Sequence, residues 1–357
     1  MSAGEQAAQL AAAQDRPGLA QIWLRRTAIH VRDPAAKDRM ARDYHHLRQV
    51  NPVSFNLVTA VRPSSNVNNG ADSSLQVIEG IPVTGILSGA AQALSGTIAT
   101  ADLALGYRLR ATETGRTTLG LRLYTRHVAL SSEAQALAPA LRNSDLSSQV
   151  ADLALHHVGR AARGTWGAQG AVGQTRSGGQ SVYRFVRLGG HRTLPLGQSG
   201  AFTFRAAVED RLSLSGTRYD STARTFGLSY AYRFQGGDRM AMSLGLRDTD
   251  AVFRNDIAQT LSLRAAYSLG RPLGPVTLDA AVTLGYEDRP LFRSGLFVVP
   301  GGRQDRSAVA DVTMTFQDWD YAGFVPSLQL RAARTRSNDS RFTTREMSLS
   351  VGITSRF

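Results

Sequence analysis

The seven histidines are the side chains best suited to hold a metal ion or to move a proton, and their spacing does not form a site. His156 and His157 are neighbours in a segment that alternates like a strand, so their side chains point to opposite faces. They therefore cannot share one ion. His45 and His46 lie in a predicted helix, where adjacent side chains also diverge. We predict no metal site, no cofactor and no catalytic residue.

Arginines and carboxylates offer a different chemistry, because they recur at alternate positions of strand-like segments. The formal net charge is +13, yet Lys37 is the only lysine and the arginines form no single patch. This spread argues against a nucleic-acid partner. Opposite charges distributed along strands stabilise a barrel wall or tune its selectivity more often than they catalyse a reaction. We therefore predict a protein that is not an enzyme.

The candidates for charges that face a barrel lumen lie at such alternate positions. They are Arg108, Arg122, Arg205, Arg233, Arg264, Arg331, Asp102, Asp279 and Asp311. Similar positions are occupied by Asp152, Glu209, Glu287, Arg126, Arg211 and Arg247. We expect ion pairs among these side chains.

A long series of strands must position these charges. After Asn51, polar and apolar residues alternate with a period of two; Phe226 and Leu228, for example, share one face and Ser229 lies on the other. This period is typical of strands with two unlike faces. The fourteen predicted strands are 53–61, 97–111, 117–128, 146–159, 164–174, 181–191, 200–211, 222–234, 239–248, 256–269, 275–287, 305–317, 323–335 and 341–357.

Strand length and composition decide between a soluble sandwich and a membrane barrel. Most of these strands have about 10–15 residues, whereas strands of soluble domains usually have about five or six. One face suits lipid, and the other is too rich in Arg, Asp and Glu for a dry core. No apolar run of about 18 residues occurs, which excludes a helical membrane protein. The sequence predicts an all-β fold, a transmembrane antiparallel β-barrel of about 14 strands.

The lengths of the connections predict how the barrel sits in a bacterial outer membrane. If the chain enters from the periplasm, short connections such as 112–116, 235–238 and 270–274 fall on that side. The long connections then all fall outside, as in outer-membrane barrels. These long connections are 62–96, 129–145, 212–221 and 288–304. The first residues lack the basic and apolar regions of a signal peptide, so we expect an outer-membrane protein whose leader is absent from this chain.

The two ends of the chain differ from the strands between them. Residues 1–50 do not alternate; Met40, Tyr44 and Leu47 have helical spacing, which predicts a helix over 33–50. We interpret 1–50 as a helical linker or the remainder of a helical domain, and 51–357 as the barrel.

The final strand ends on an aromatic residue. Val351, Ile353 and Phe357 share its apolar face, in a pattern that resembles the signal recognised by the barrel-assembly machinery. Ser355 departs from this pattern, which prefers an apolar residue there. We expect the assembly machinery to be a partner during biogenesis.

The segment 51–74, NPVSFNLVTAVRPSSNVNNGADSS, resembles the surface lipoprotein assembly modulator family, together with the helix before it. The similarity is carried by Pro63, Asn66, Asn68 and Asn69. The ending, 324–357, also resembles the last two strands of this family. In that family a periplasmic helical-repeat domain leads into the barrel, so 1–50 would be a remnant of such a domain. The resemblance implies an outer-membrane translocon whose partner is a client lipoprotein or secreted protein.

Several alternatives remain open at this point. The asparagines of 66–69 are typical of turns that bond their own backbone, and they also have the chemistry to contact a ligand. The lumen arginines fit a passive, anion-leaning porin as well as a translocon, and residues 1–50 could instead make the barrel a scaffold for a periplasmic partner. A translocon would open laterally at a seam between 53–61 and 341–357. The identity of the client, the oligomeric state and the placement of 62–96 in the lumen are not fixed by the sequence.

Overall fold

Fourteen antiparallel strands form a closed barrel in the computed structural model, which describes residues 3–31, 33–82, 84–321 and 324–355. The strands are β1 Val53–Ser64, β2 Gly96–Ala111, β3 Gly115–Leu130, β4 Ser148–Arg160, β5 Thr165–Ser177, β6 Gln180–Leu196, β7 Gly200–Ser213, β8 Ser221–Arg233, β9 Arg239–Ala251, β10 Ala258–Ser268, β11 Val276–Arg289, β12 Arg303–Phe316, β13 Phe324–Ser337 and β14 Thr344–Ser355. Each strand pairs with its sequence neighbours, and β14 pairs with β1. The predicted fold class is confirmed.

The alternation in the sequence becomes an outer and an inner face of the wall. In the β8–β9 pair, Phe226 lies opposite Leu246 and Leu228 opposite Leu244. These apolar side chains remain exposed, Phe226 to 57 %, which identifies their face as the one that meets lipid. Ser229 and its partners point the other way, into the lumen. A one-residue slip would exchange the two faces, so the pattern also fixes the register.

The strand ends differ from prediction by a few residues. β1 continues from the predicted end at 61 to Ser64, because its outer end still has a partner in β2. The last strand begins at Thr344 rather than 341. Residues Ser340–Phe342 form a 3-10 turn instead, where the Asp339 side chain accepts a hydrogen bond from Arg341 N. A side chain that bonds the nearby backbone in this way competes with strand pairing.

Three helices precede the barrel, α1 Ala3–Ala13, α2 Pro17–Ala28 and α3 Pro34–Val50. The predicted helix over 33–50 is present: Asp33 caps it by accepting from the N–H groups of the first turn, and a proline begins it. Ala8, Leu24 and Met40 form the buried contact among the three helices. No helix of the described residues is long and apolar enough to cross a membrane.

Polar contacts tie the helices to the end of the barrel where the chain enters β1, which is the end predicted to face the periplasm. Arg108 of β2 donates to the backbone oxygen of Val50 at 2.7 Å. Asn51 donates to the Gln21 side chain at 2.7 Å. The predicted lumen charge Arg108 therefore holds the end of α3, because it lies at the rim of the barrel next to the helices, where backbone oxygens of a helix end need donors.

Candidate functional site: the seam and the lumen

The barrel closes between its first and last strands, and we call the β1–β14 contact the seam. Among the described residues, the ladder across the seam covers Val58–Val61, opposite Val351–Thr354, and resumes at Ser64. On its other side, β1 pairs with β2 over its whole length. The seam ladder lapses next to Pro63, which has no backbone N–H to donate. β1 therefore has one complete ladder and one interrupted ladder.

Side chains on the inner face join the two strands where the ladder lapses. Glu346 of β14 accepts hydrogen bonds from Arg62 Nη1 and from Ser64 Oγ, both at 2.9 Å. Arg62 also donates to Ser348 Oγ at 3.1 Å. The Arg62 and Glu346 side chains are only 23 % and 15 % exposed, so solvent and salt screen this ion pair less than a surface pair. We call this group the seam clamp.

In the half of the seam nearest the N-terminal helices, the two strands are joined by Ser355, the residue that departs from the expected terminal pattern. Leu57 N donates to Ser355 Oγ at 2.7 Å, and Ser355 donates to the side chain of Asn56 at 3.3 Å. Ser355 thus forms hydrogen bonds with both a backbone group and a side chain of β1, whereas an apolar residue at this position could form neither bond. Val351 and Ile353 lie on the outer face, 59 % and 47 % exposed. Phe357 lies outside the described residues, and recognition by the assembly machinery stays a prediction.

Gly352 lets the two strands of the seam approach closely. A Cβ atom at this position would stand 2.4 Å from the backbone oxygen of Thr59. A methyl group would therefore push β14 away from β1, and forced overpacking typically costs about 1–3 kcal/mol.

We expect Gly352→Ala to lower the temperature at which the barrel unfolds by several degrees, because it separates the seam. The measurement is the heat-dependent gel-mobility shift of the purified protein in detergent. Gly227→Ala is the matched control: it adds the same methyl group to an inner-face glycine whose nearest atoms would be 3.8 Å away. An equal effect of both substitutions would contradict a specific role of Gly352 in the seam.

The asparagines of the family-like segment bond the backbone of their own loop. The Asn66 amide donates to Gly70 O and accepts from Gly70 N, both at 2.8 Å. Asn68 donates to Gln92 O at 2.8 Å and accepts from Leu94 N at 3.0 Å. Asn69 has a left-handed backbone with φ of 52°, which asparagine tolerates better than most residues. The segment is thereby closed on itself directly after Pro63.

The loop between β1 and β2, whose described residues 65–82 and 84–95 we call the strap, crosses the seam at the end of the barrel that is predicted to face outward. At one end, Val67 and Leu94 are buried against Ile98 and Val128 on the inner face of β2 and β3. Arg126 fixes this end by donating to Val67 O at 2.6 Å. The strap therefore lies against the lumen mouth on the β2–β3 side.

The other end of the strap reaches the loops beyond β11 and β13. Gln76 donates to Ser294 Oγ at 2.8 Å and to Asp339 Oδ1 at 2.9 Å. Ile78 packs with Phe292 and Val299 in a buried cluster. Because the two ends hold opposite sides of the seam, the strap links them across the outer mouth.

Several predicted lumen charges form ion pairs along the inner face. Asp102 accepts two hydrogen bonds from Arg122, at 2.9 and 2.6 Å. Asp311 accepts from Arg331 at 3.0 Å, and Arg264 stands 3.9 Å from the same carboxylate. These bonds cross from strand to strand, so they brace the wall.

The other predicted charges of the inner face do not take part in these ion pairs. Arg205 lies opposite Gly227, Arg233 opposite Arg239, and Asp279 opposite Thr313. Within the described ranges, Arg205, Arg233 and Asp279 form no ion pair. Their charges are therefore free to face the hydrated lumen.

A cluster around Glu209 was not predicted as a unit from the sequence. Glu209 is 6 % exposed and accepts from Arg187 Nε and Arg211 Nε, each at 2.7 Å. Arg247 stands 3.8 Å from the same carboxylate. Arg187 lies on the inner face directly opposite Glu209. It could have been predicted as a partner of Glu209 only if the register between β6 and β7 had been known.

The histidines and carboxylates do not converge on a metal-binding group. His157 shares a hydrogen bond of 2.9 Å with Thr117 and stands beside the Trp166 ring, whereas His156 points to the opposite face. No group of three or more possible ligand side chains lies close together in the part of the chain that the structure describes.

Comparison with known proteins relates the chain to others by its fold. No protein-family model matches the sequence, and no curated protein is similar to it. Pseudomonas putida OprB is 8 % identical, covers 90 % of this chain and 97 % of its own, and gives a TM-score of 0.47. A BenF-like porin from Pseudomonas fluorescens Pf-5 is 10 % identical, covers 85 % of this chain and 98 % of its own, and gives a TM-score of 0.41. OmpT, an outer membrane protein of Vibrio cholerae, is 8 % identical, covers 85 % of this chain and 98 % of its own, and gives a TM-score of 0.40. The likeness to these three proteins is one of fold alone.

Proposed function

We propose that this chain is an outer-membrane translocon that moves lipoproteins, or related soluble proteins, to the cell surface or the medium, with the seam as its lateral opening. The observation that carries the proposal is the interrupted β1–β14 ladder beside a complete β1–β2 ladder. Inside a bilayer, each backbone group without a partner costs on the order of several kcal/mol. Opening is therefore easiest where the ladder already lapses. The resemblance of Pro63 and its neighbouring asparagines to the surface lipoprotein assembly modulator family points the same way.

An apolar groove on the outer face supports a client that carries a lipid anchor. The groove has a volume of about 890 Å³ and crosses the outer half of the seam. It exists because small or short side chains meet there, including Pro63, Thr97, Ala129 and Ala332. A lipid anchor must stay in the hydrocarbon while its polypeptide passes through water. A groove beside the opening allows the acyl chain of a client to do so.

The strap controls the outer end of the same opening. It contacts the inner face near Ile98 at one end and the loop that contains Asp339 at the other. Lateral opening must therefore release one of these ends or stretch the strap. The carboxylates Asp102, Glu209 and Asp311 accept bonds from arginines, a role in the wall that fits a transport protein rather than an enzyme.

Deletion of the gene tests the proposed function in the native cell. We expect a defined set of lipoproteins or secreted proteins to disappear from the surface or the medium, measured by protease shaving of intact cells and mass spectrometry. Their total cellular amounts should stay unchanged, and the wild-type gene should restore them. An unchanged surface proteome would contradict the translocon proposal.

A passive, anion-leaning porin is the second candidate, and the surplus of arginines around Glu209 favours it. Three guanidinium groups stand around one carboxylate on the inner face, which attracts anions into a pore. A porin predicts a steady, open, anion-selective conductance of the wild-type protein in planar bilayers. A translocon closed by its strap predicts a small or intermittent conductance.

A further inference from the structure

The wall opposite the seam carries an excess of positive charge around one buried carboxylate. Arg187 and Arg211 bond Glu209 directly, and Arg247 approaches it to 3.8 Å. Glu209 balances one of these three charges, so the cluster keeps two positive charges. Tyr183 lies beneath the Arg211 guanidinium, 5.1 Å from its ring centre, and this stacking fixes the orientation of Arg211.

Two of these arginines border a groove that opens into the lumen near the outer mouth. The groove has a volume of about 630 Å³, and Arg211, Arg247 and Tyr183 form one side of it. Glu209 does not line the groove, because it lies buried behind the guanidinium groups. The arginines therefore present donors to the groove while their shared carboxylate stays away from it.

The facing side of the groove has a different chemistry. Glu287 holds Arg289 at 2.6 Å, and Asp256 stands 3.9 Å from the same guanidinium. The hydroxyl groups of Ser221 and Thr260 line the groove next to the arginines, because Ser221 lies opposite Arg211 and Thr260 opposite Arg247 on the neighbouring strands. The groove thus has carboxylate oxygens on the facing side and hydroxyl oxygens beside the arginines, and both can accept hydrogen bonds from ligand hydroxyl groups.

We infer that this groove binds a small hydroxylated anion, of the class of sugar acids and sugar phosphates. The oxyanion would lie against Arg211 and Arg247, since guanidinium groups match carboxylate and phosphate geometry. The hydroxyl groups of the ligand would face Glu287 and the serine and threonine side chains. The groove lies on strands β6–β11, away from the seam, so the inference does not depend on lateral opening.

Binding by the purified, full-length protein in detergent tests this site. The probes are glucuronate, glucose 6-phosphate and neutral glucose, titrated at equal ionic strength by isothermal calorimetry. We expect saturable binding of at least one of the two anions and none of glucose. The two anionic probes distinguish a carboxylate from a phosphate ligand. Binding of glucose as tightly as the anions, or no saturable binding of either anion, would overturn the inference.

The Arg247→Gln substitution tests whether the anion binds in the groove. It removes the guanidinium that stands farthest from Glu209, so the unfolding temperature should stay unchanged while anion affinity falls about tenfold or more. Arg205→Gln is the matched control, because it removes the same charge from the inner face of β7 about 20 Å from Arg211. Equal affinities of wild type and Arg247→Gln, or an equal loss in Arg205→Gln, would refute the site.

Discussion

A disulfide across the seam is expected to stop delivery of client proteins to the cell surface. Val61 of β1 lies opposite Val351 of β14, and facing residues of antiparallel strands stand about 4.5–5.5 Å apart between Cα atoms. This spacing suits a disulfide. Because the natural sequence has no cysteine, the V61C/V351C variant contains only the two introduced thiols. Oxidation then prevents separation of β1 from β14, and client proteins should fall to the level of the gene deletion.

The other side of β1 supplies a matched control for this experiment. Val61 also lies opposite Ala99 of β2, so V61C/A99C forms a cross-link of the same kind from the same residue. The β1–β2 ladder is not expected to open, and this variant should deliver clients normally when oxidised. Reduction should restore delivery by V61C/V351C. Equal delivery by both oxidised variants would show that the wall does not open at the seam.

The barrel itself could be predicted because its signal is local. Each strand that faces lipid on one side and water on the other shows its period of two within about ten residues, without knowledge of its partners. The strand ends were less accurate, as at Thr344, because an Asx-like bond of Asp339 to the next residues decides where pairing begins. The first helix has a small apolar face dominated by alanine, and the second is too short to show a clear period, so their sequence only indicated an absence of strands.

The seam and the lumen groove could be predicted in part only, because both depend on register. Opposite charges at alternate positions of the strands predicted that ion pairs would form. Which arginine pairs with Glu209 became clear only from the register between β6 and β7. Arg108 had the alternation of a lumen charge and instead binds Val50 at the rim. The strap contains only two strands of three residues, Leu75–Val77 and Thr84–Ile86, which are too short to show a period. Its path is set by contacts such as that of Gln76 with Asp339, which lie far apart in sequence.

Replacement of Glu209 by glutamine is expected to cause a large loss of stability. Glu209 is 6 % exposed, and its carboxylate holds guanidinium groups from β6 and β7. Arg187 and Arg211 are 37 % and 32 % exposed, so water compensates for part of the loss, and we expect a cost of about 1.5–3 kcal/mol, as for hydrogen bonds between a buried group and charged partners. The measurement is the free energy of unfolding in urea, with the barrel reconstituted in lipid.

Asp102→Asn provides the comparison, because Asp102 also holds an arginine across the inner face. Asp102 and Arg122 are 33 % and 51 % exposed, so water compensates for the loss, which should be about 0.2–1 kcal/mol. A Glu209→Gln protein as stable as Asp102→Asn would contradict the assignment of Glu209 as a buried counter-charge.

A double substitution separates the loss of hydrogen bonds from the repulsion among the arginines. In Glu209→Gln the guanidinium groups of Arg187, Arg211 and Arg247 keep their charges and lose their common partner. Additional replacement of Arg247 by glutamine removes part of this repulsion, so the double variant should be more stable than the sum of the single effects predicts. The expected coupling exceeds about 0.5 kcal/mol, the usual limit for independent sites. Additive effects would mean that Arg247 does not share Glu209, and its guanidinium would then face the groove without a counter-charge.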